Sequence, residues 1–227
     1  MDMGDGKKGL AQRYIAKEVE DSLKRLQTDH IDLYQSHQDD PDVPLEETLD
    51  AYARLVKQGK VRAIGASNYK AGRLYQALTV SKNLGVPRYE CLQPNYNLYD
   101  REDYETLLEP LVRDKNIGVI PYFSLAAGFL TGKYRSEADF TKSPRGGNMK
   151  KYLNDRGFRI LKALDEAAKE LLATPAQVAL AWLIARPGIT APIASATSLA
   201  QFNDLLEGTR LELDEVTIRK LNEASAY

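Results

Sequence analysis

One recurring unit constrains this chain more than any other feature: a short apolar run, a polar residue at its end, then an amphipathic helix. Such runs begin at Ile31, Val61, Tyr89 and Gly118, about 30 residues apart, the length of a strand–helix–strand crossover. Strand and helix in alternation argue for a parallel sheet with right-handed crossovers, because parallel neighbours cannot be joined by a tight hairpin. Strands are expected at Ile31 to Gln35, Val61 to Ala66, Tyr89 to Gln93, Gly118 to Phe123 and Thr190 to Ala194. The first lacks apolar–polar alternation, which predicts cover on both faces. Ile15, Val19, Leu23 and Leu26 define one face of a helix from about Ala11 to Leu26, and a second helix runs from Leu45 to Gln58, closed by Gly59. Helices are also expected over residues 71–84, 102–114, 155–172, 176–185, 199–206 and 215–224, with Thr174 and Asp214 as N-caps. Trp182 lies in a segment dense enough in apolar residues for deep packing. Between Leu125 and Tyr152 the chain is irregular and rich in Gly, Lys, Arg and Ser, the signature of a functional loop.

No G-x-G-x-x-G or Walker motif follows any of these strands, so a doubly wound nucleotide fold lacks its fingerprint. The alternative is part of an eight-stranded parallel barrel, whose ligands gather at the C-terminal ends of the strands. Those ends carry His37, then Ser67 and Asn68, then Gln93 and Asn95, then Tyr122 and Ser124, then Ser195 and Thr197. A single Ser, Asn or His at a strand end is commonly a turn former. Polar residues at the end of every expected strand point instead to a shared mouth, and neutral donors and acceptors suit an uncharged polar ring such as a carboxamide. There is no His, Cys and carboxylate cluster at metal-binding spacing and no G-x-S-x-G elbow, which argues against metal and serine-hydrolase chemistry.

Size and charge agree with a small-molecule site. A chain of 227 residues suits one domain, taken as residues 1–227, and 31 basic against 32 acidic residues create no field for nucleic acid or an anionic membrane. No apolar run approaches the ~20 residues of a membrane span. Cys91 is the sole cysteine, which excludes an internal disulfide and fits a reducing compartment, so the expected address is cytoplasmic.

The segments SLKRLQTDHIDLYQSH, GASN, LQPNYN, PYFSLAAGFLTGKY and PIASATSLAQ together resemble the aldo-keto reductases, and the likeness runs along the whole chain in order. It looks most like the bacterial branch with a long phosphate-covering loop, related to potassium-channel beta subunits. The resemblance implies a (β/α)8 TIM barrel represented by its last five βα units, the first three lacking from this chain. It further implies a nicotinamide dinucleotide bound without a Rossmann motif, NADPH by family default with NADH as the alternative, and reduction of an aldehyde or ketone.

Matched position by position, His37 is the active-site histidine, and Ser67, Asn68 and Gln93 hold the nicotinamide carboxamide. Tyr122 stacks on the nicotinamide ring, with Ser124 beside it. Leu125, Gly128, Gly132 and Lys133 belong to the pyrophosphate-covering loop (residues 125–152), with Arg145 against the adenosine phosphate. Ser195, Thr197, Gln201 and Asp204 line the adenosine end. The family's proton-donating tyrosine, its aspartate and its lysine have no match here. Residues Pro192 to Gly208 contain no Arg or Lys, and Leu205 stands where relatives often place an adenine-binding asparagine. Two readings follow: a carbonyl-reducing enzyme, or a non-catalytic subunit that binds the nucleotide without turnover. A partial barrel also exposes unpaired edges, which predicts self-association or a complementing N-terminal segment.

Overall fold

Helix and strand alternate from the start: α1 (Gln12–Leu26), β1 (Ile31–Ser36), α2 (Leu45–Lys57), β2 (Val61–Ser67), α3 (Ala71–Leu84) and β3 (Tyr89–Gln93). A π-helical turn, Tyr104–Leu108, runs into α4 (Glu109–Asp114), followed by β4 (Gly118–Val119). Three short 3-10 helices (Ala126–Thr131, Glu137–Lys142 and Gly146–Tyr152) then lead to α5 (Asp155–Glu170), α6 (Pro175–Ile184), α7 (Leu199–Gly208) and α8 (Glu215–Ala224). The structure, a computed structural model, describes residues 9–142 and 146–227. They form two compact units, one ending at Pro94 and rejoined by Pro110–Gly118, the other made of Asn95–Glu109 and Val119–Tyr227.

In the first unit β1 and β2 run parallel in the register Ile31↔Val61 to Ser36↔Ala66, and β2 and β3 run parallel with Ser67 level with Gln93. The sheet order is β1-β2-β3-β4, each strand beside its sequence neighbour. A doubly wound sheet reverses its order at a switch point; this one does not. Helix α1 packs on α2 and α2 on α3, burying Ile15, Val19, Leu49, Tyr52, Leu74 and Tyr89 with Ile64 and Leu92 of the sheet. Gly59 and Gly85 take the left-handed conformation just past α2 and α3, as their positions predict. Strand β1 departs from expectation: only Ser36 is buried, and Asp32 is exposed. Among the described residues it is the end strand of this order, with β2 as its one strand neighbour.

The second unit is built on α6. Seven of its ten residues are buried, including Trp182, because α5 and α7 both pack against it. The indole Nε1 donates to Asn222 Oδ1 at 2.9 Å, and the guanidinium groups of Arg101 and Arg186 lie 5.4 and 5.5 Å from the ring centroid. Thr174 caps α6 through a reciprocal capping box with Gln177, and Asp214 caps α8 by accepting from Thr217 N at 2.8 Å.

Two expected strands are cut short. The run Gly118 to Phe123 is a strand only over Gly118–Val119, with an isolated parallel bridge between Asn95 and Tyr122. The run Thr190 to Ala194 forms no strand, although Val119 bridges Ile189 in parallel and Thr190 N and Ile193 N donate to Val119 O and Pro121 O at 2.8 and 2.9 Å. Pro121 and Pro192 have no N–H to give, so neither run sustains a ladder. The position of a fifth strand is kept while its regular pairing is lost. The expected helix over 102–114 is present but widens into the π-helical turn, and the irregular segment holds the three 3-10 helices.

Replacing the buried indole should leave a large cavity and an unpartnered Asn222 acceptor. Trp182→Ala is expected to cost about 3–5 kcal/mol, read as a lowered urea midpoint at constant slope.

Candidate functional site

The first unit ties four strand-end residues together. Ser67, the last residue of β2, is buried and its hydroxyl donates to Gln93 O at 2.8 Å. Asn68 follows at φ 57, a left-handed conformation that asparagine tolerates better than most residues. From there its Nδ2 donates to Ser67 Oγ at 3.1 Å and to His37 O at 2.8 Å. One side chain thereby holds the backbone at the end of β1 while Ser67 holds that of β3. The His37 imidazole is exposed and the Gln93 side chain half-buried. Beneath them Ser36 is buried, its Oγ within 2.8 Å of both Tyr52 OH and Tyr89 OH, and Tyr89 OH lies 3.1 Å from Tyr69 OH. This hydroxyl chain locks the end of β1 one residue before His37. In the sequence, a serine one residue before the candidate histidine carries no signal; only its tyrosine partners distinguish Ser36.

In the second unit Ser124 is buried and donates to Ile193 O at 2.7 Å, joining two strand-end segments. The Tyr122 ring lies 5.1 Å from that of Phe123 in an edge-on contact. Burial raises its phenol pKa above the ordinary value, and the charge of Asp100 adds to the effect. Leu125 O accepts from Gly128 N at 2.8 Å, closing a turn in which Ala126 and Ala127 are left-handed and Gly128 has φ 102. A Cβ on Gly128 would stand 3.4 Å from Lys133 Nζ, so the bare glycine leaves a seat for that ammonium group, which also lies 5.1 Å from the Tyr134 ring centroid. Gly132 has φ 77, and its carbonyl accepts from Arg135 Nε at 2.7 Å.

At the entrance to α7, Thr197 N and Oγ1 donate to Gln201 Oε1 at 2.9 and 3.0 Å. Ser198 caps the helix, and Ser195 is exposed. Asp204 is engaged elsewhere: Oδ1 accepts from Thr174 Oγ1 at 3.0 Å and from Gln177 Nε2 at 2.8 Å, so its carboxylate braces the cap of α6. Arg145 lies outside the described residues. Among the described residues no cluster of three His, Cys, Asp or Glu side chains is placed to hold a metal ion, and no helix is long and apolar enough to cross a membrane.

The model of the Aldo/keto reductase family matches residues 1–226. The chain belongs to the aldo/keto reductase family. Among aldo/keto reductase relatives, it is 35% identical over 217 residues to the uncharacterized oxidoreductase YrpG of Bacillus subtilis (strain 168), covering 95% of this chain and 65% of that protein. It is 36% identical over 212 residues to the aldo-keto reductase YhdN of the same organism, covering 92% and 62%. A probable voltage-gated potassium channel subunit beta of Arabidopsis thaliana is 31% identical over 206 residues, covering 88% and 63%. The chain thus spans between 62% and 65% of the length of these relatives. The crystal structure of the thermostable aldo-keto reductase Tm1743 in complex with the inhibitor epalrestat superposes with a TM-score of 0.76 at 29% identity, over 95% of this chain and 67% of that one.

The loop after Gly132 contains one acid-sensitive clasp. Asp139 accepts from Lys142 Nζ at 2.7 Å and from the amides of Arg135 and Ser136 at 2.8 and 3.0 Å. Lys142 first and then those amides hold its carboxyl at about 2. A folded value below the unfolded one of about 3.9 means the clasp is fully present above the unfolded value and is lost as pH falls through the folded one. Hydrogen exchange at the Arg135 amide, corrected for its intrinsic rate, should therefore accelerate as pH falls from about 4 to about 2. Asp139→Asn should exchange quickly throughout and show no such step.

Proposed function

We propose that this chain carries the nicotinamide-binding residues of a carbonyl reductase, an oxidoreductase that converts an aldehyde or ketone into an alcohol. The observation that supports it most is the linked set Ser67, Asn68, Gln93 and His37 at adjacent strand ends. A carboxamide presents both a donor and an acceptor, and this set answers with hydroxyl, amide and carbonyl groups that bring no net charge of their own. In this reading Ser67, Asn68 and Gln93 hold the carboxamide and His37 orients the substrate carbonyl. Tyr122 lies against the ring, with Ser124 fixing the strand end behind it. Leu125, Gly128, Gly132 and Lys133 face the pyrophosphate, for which the seated Lys133 ammonium is a fitting partner. Ser195, Thr197, Gln201 and Asp204 serve the adenosine, and Asp204 also holds α7 to the cap of α6. NADPH is the proposed cofactor over NADH, on the family resemblance alone. When bound, it supplies the hydride, and the protein's part is to place the carbonyl and stabilise charge on its oxygen. None of the 13 tyrosines of this chain is assigned the proton donation.

A second reading is a regulatory subunit that binds the nucleotide without turnover. It is favoured by the similarity to a protein named as a channel beta subunit. Titration of the folded chain with NADPH, followed by its fluorescence, and turnover of a nitrobenzaldehyde separate the two. Binding with turnover supports the reductase, binding alone the regulatory subunit, and a folded chain that does neither contradicts both. In the binding assay Gln93→Leu is expected to weaken NADPH by one to two powers of ten, the cost of leaving a carboxamide group unpaired.

Self-association, or pairing with a complementing segment of the same fold, belongs to this proposal. Its support is exposed apolar surface: Leu199, Phe202 and Leu206, one stripe of α7, are 80%, 50% and 38% exposed, and β1 is an end strand. Light scattering that finds a monodisperse, cooperatively unfolding monomer would contradict it. A cytoplasmic address is proposed as well, supported by Cys91, a buried free thiol pushed up to about 11 by burial.

A further inference from the structure

We infer that Asn97 is a positioning residue for Tyr122, acting through the carbonyl of Phe123; the inference rests on the reading of Tyr122 as the face of a nicotinamide site. Asn97 is wholly buried, and its side chain uses its full hydrogen-bonding capacity. Oδ1 accepts from Tyr99 N and Asp100 N, both at 2.8 Å, which folds the loop after Asn95 into a tight turn. Nδ2 donates to Asp100 Oδ2 and to Phe123 O, both at 3.0 Å.

The second of these donor bonds lands on a strained residue. Phe123 has φ 55, a conformation costly for a bulky side chain, and its own ring does not compensate, being 50% exposed. What keeps Phe123 there is its backbone: the carbonyl accepts from Asn97 Nδ2 and from Ala126 N at 2.7 Å. The next residue is pinned by Ser124 Oγ to Ile193 O. Residue 122 enters that turn directly: it is held upstream by its parallel bridge to Asn95 and by Tyr96 N, 3.5 Å from its carbonyl oxygen, and the left-handed step at Phe123 holds it downstream. Without the Asn97 donor, the Ala126 amide alone holds the Phe123 carbonyl, which shifts residue 123 toward negative φ and strains the Tyr122 backbone that leads into it.

Asn97 also reaches the far end of the covering segment. The Asp100 carboxylate that it holds accepts from Tyr152 OH at 3.2 Å, and the Tyr152 ring stacks on Phe129 at 5.0 Å. The first and last of the three 3-10 helices are thereby closed on one another, so the ring-bearing turn and the base of the segment share a single amide.

The test asks whether freeing residue 123 from strain removes the need for Asn97. Asn97→Asp keeps both acceptor bonds but turns the donors into a carboxylate facing Asp100 and a carbonyl. Phe123→Gly accepts φ 55 without strain. With 3-fluorotyrosine placed at position 122 in the full chain, the parent and Phe123→Gly should each give one sharp fluorine line. Asn97→Asp should shift and broaden it, and Asn97→Asp with Phe123→Gly should restore it. NADPH affinity should follow, falling on the order of tenfold in Asn97→Asp and recovering to within about threefold in the double variant. If circular dichroism shows Asn97→Asp unfolded, Asn97→Ser replaces it, because a serine can still accept at the turn. An unchanged line in the folded single variant, or a double variant no better than the single, overturns the inference. Should the parent bind no NADPH, the cofactor reading fails, and the fluorine lines alone still decide whether Asn97 sets Tyr122.

Discussion

The register that levels Ser67 with Gln93 is the constraint on which the first unit's candidate site depends. Parallel strands laid down in sequence order all end on the same side, so residues at successive strand ends become neighbours without any long-range design. A slip of one residue would turn Ser67 and Gln93 to the opposite faces of their strands. The bond from Ser67 Oγ to Gln93 O and those from Asn68 Nδ2 to Ser67 and His37 sit on that register and consolidate it. Structure and site are here the same set of hydrogen bonds.

Where the pattern in the sequence reflected local physics, it was readable. Helices α2, α3 and α8 begin where their periodicity and caps place them, at Leu45, Ala71 and Glu215, and α3 and α8 also end there, at Leu84 and Ala224; the Thr174 cap is realised as a full capping box. The failures have equally local causes. Pro121 and Pro192 sit in runs that are apolar enough to read as strands yet cannot donate to a ladder. β1 reads as a covered strand because Ile31, Leu33 and Tyr34 are apolar, but cover is a property of neighbours, and an end strand has one fewer. The π-helical turn at Tyr104–Leu108 leaves no mark in composition.

The candidate site shows the same division. His37, Ser67, Asn68 and Gln93 were legible as strand-end polar residues, and the structure links them directly. The Asp204 carboxylate accepts from Thr174 and Gln177; that partnership depends on how α6 and α7 pack, which no local pattern encodes. Asn97 carries no signal in the sequence, because an asparagine among turn residues is ordinary. Only burial, four bonds and a strained partner at Phe123 distinguish it.

In the proposed function the Asn68 and Gln93 side-chain amides at adjacent strand ends hold a nicotinamide carboxamide. The most direct test is the nuclear magnetic resonance of the Asn68 and Gln93 side-chain amides in the folded, nitrogen-15-labelled chain as NADP+ is added, with adenosine 2′,5′-bisphosphate as the control that lacks the nicotinamide. The account predicts that both amide pairs shift with the dinucleotide and stay in place with the control. Saturable binding of NADP+ that leaves both amide pairs unmoved would contradict it.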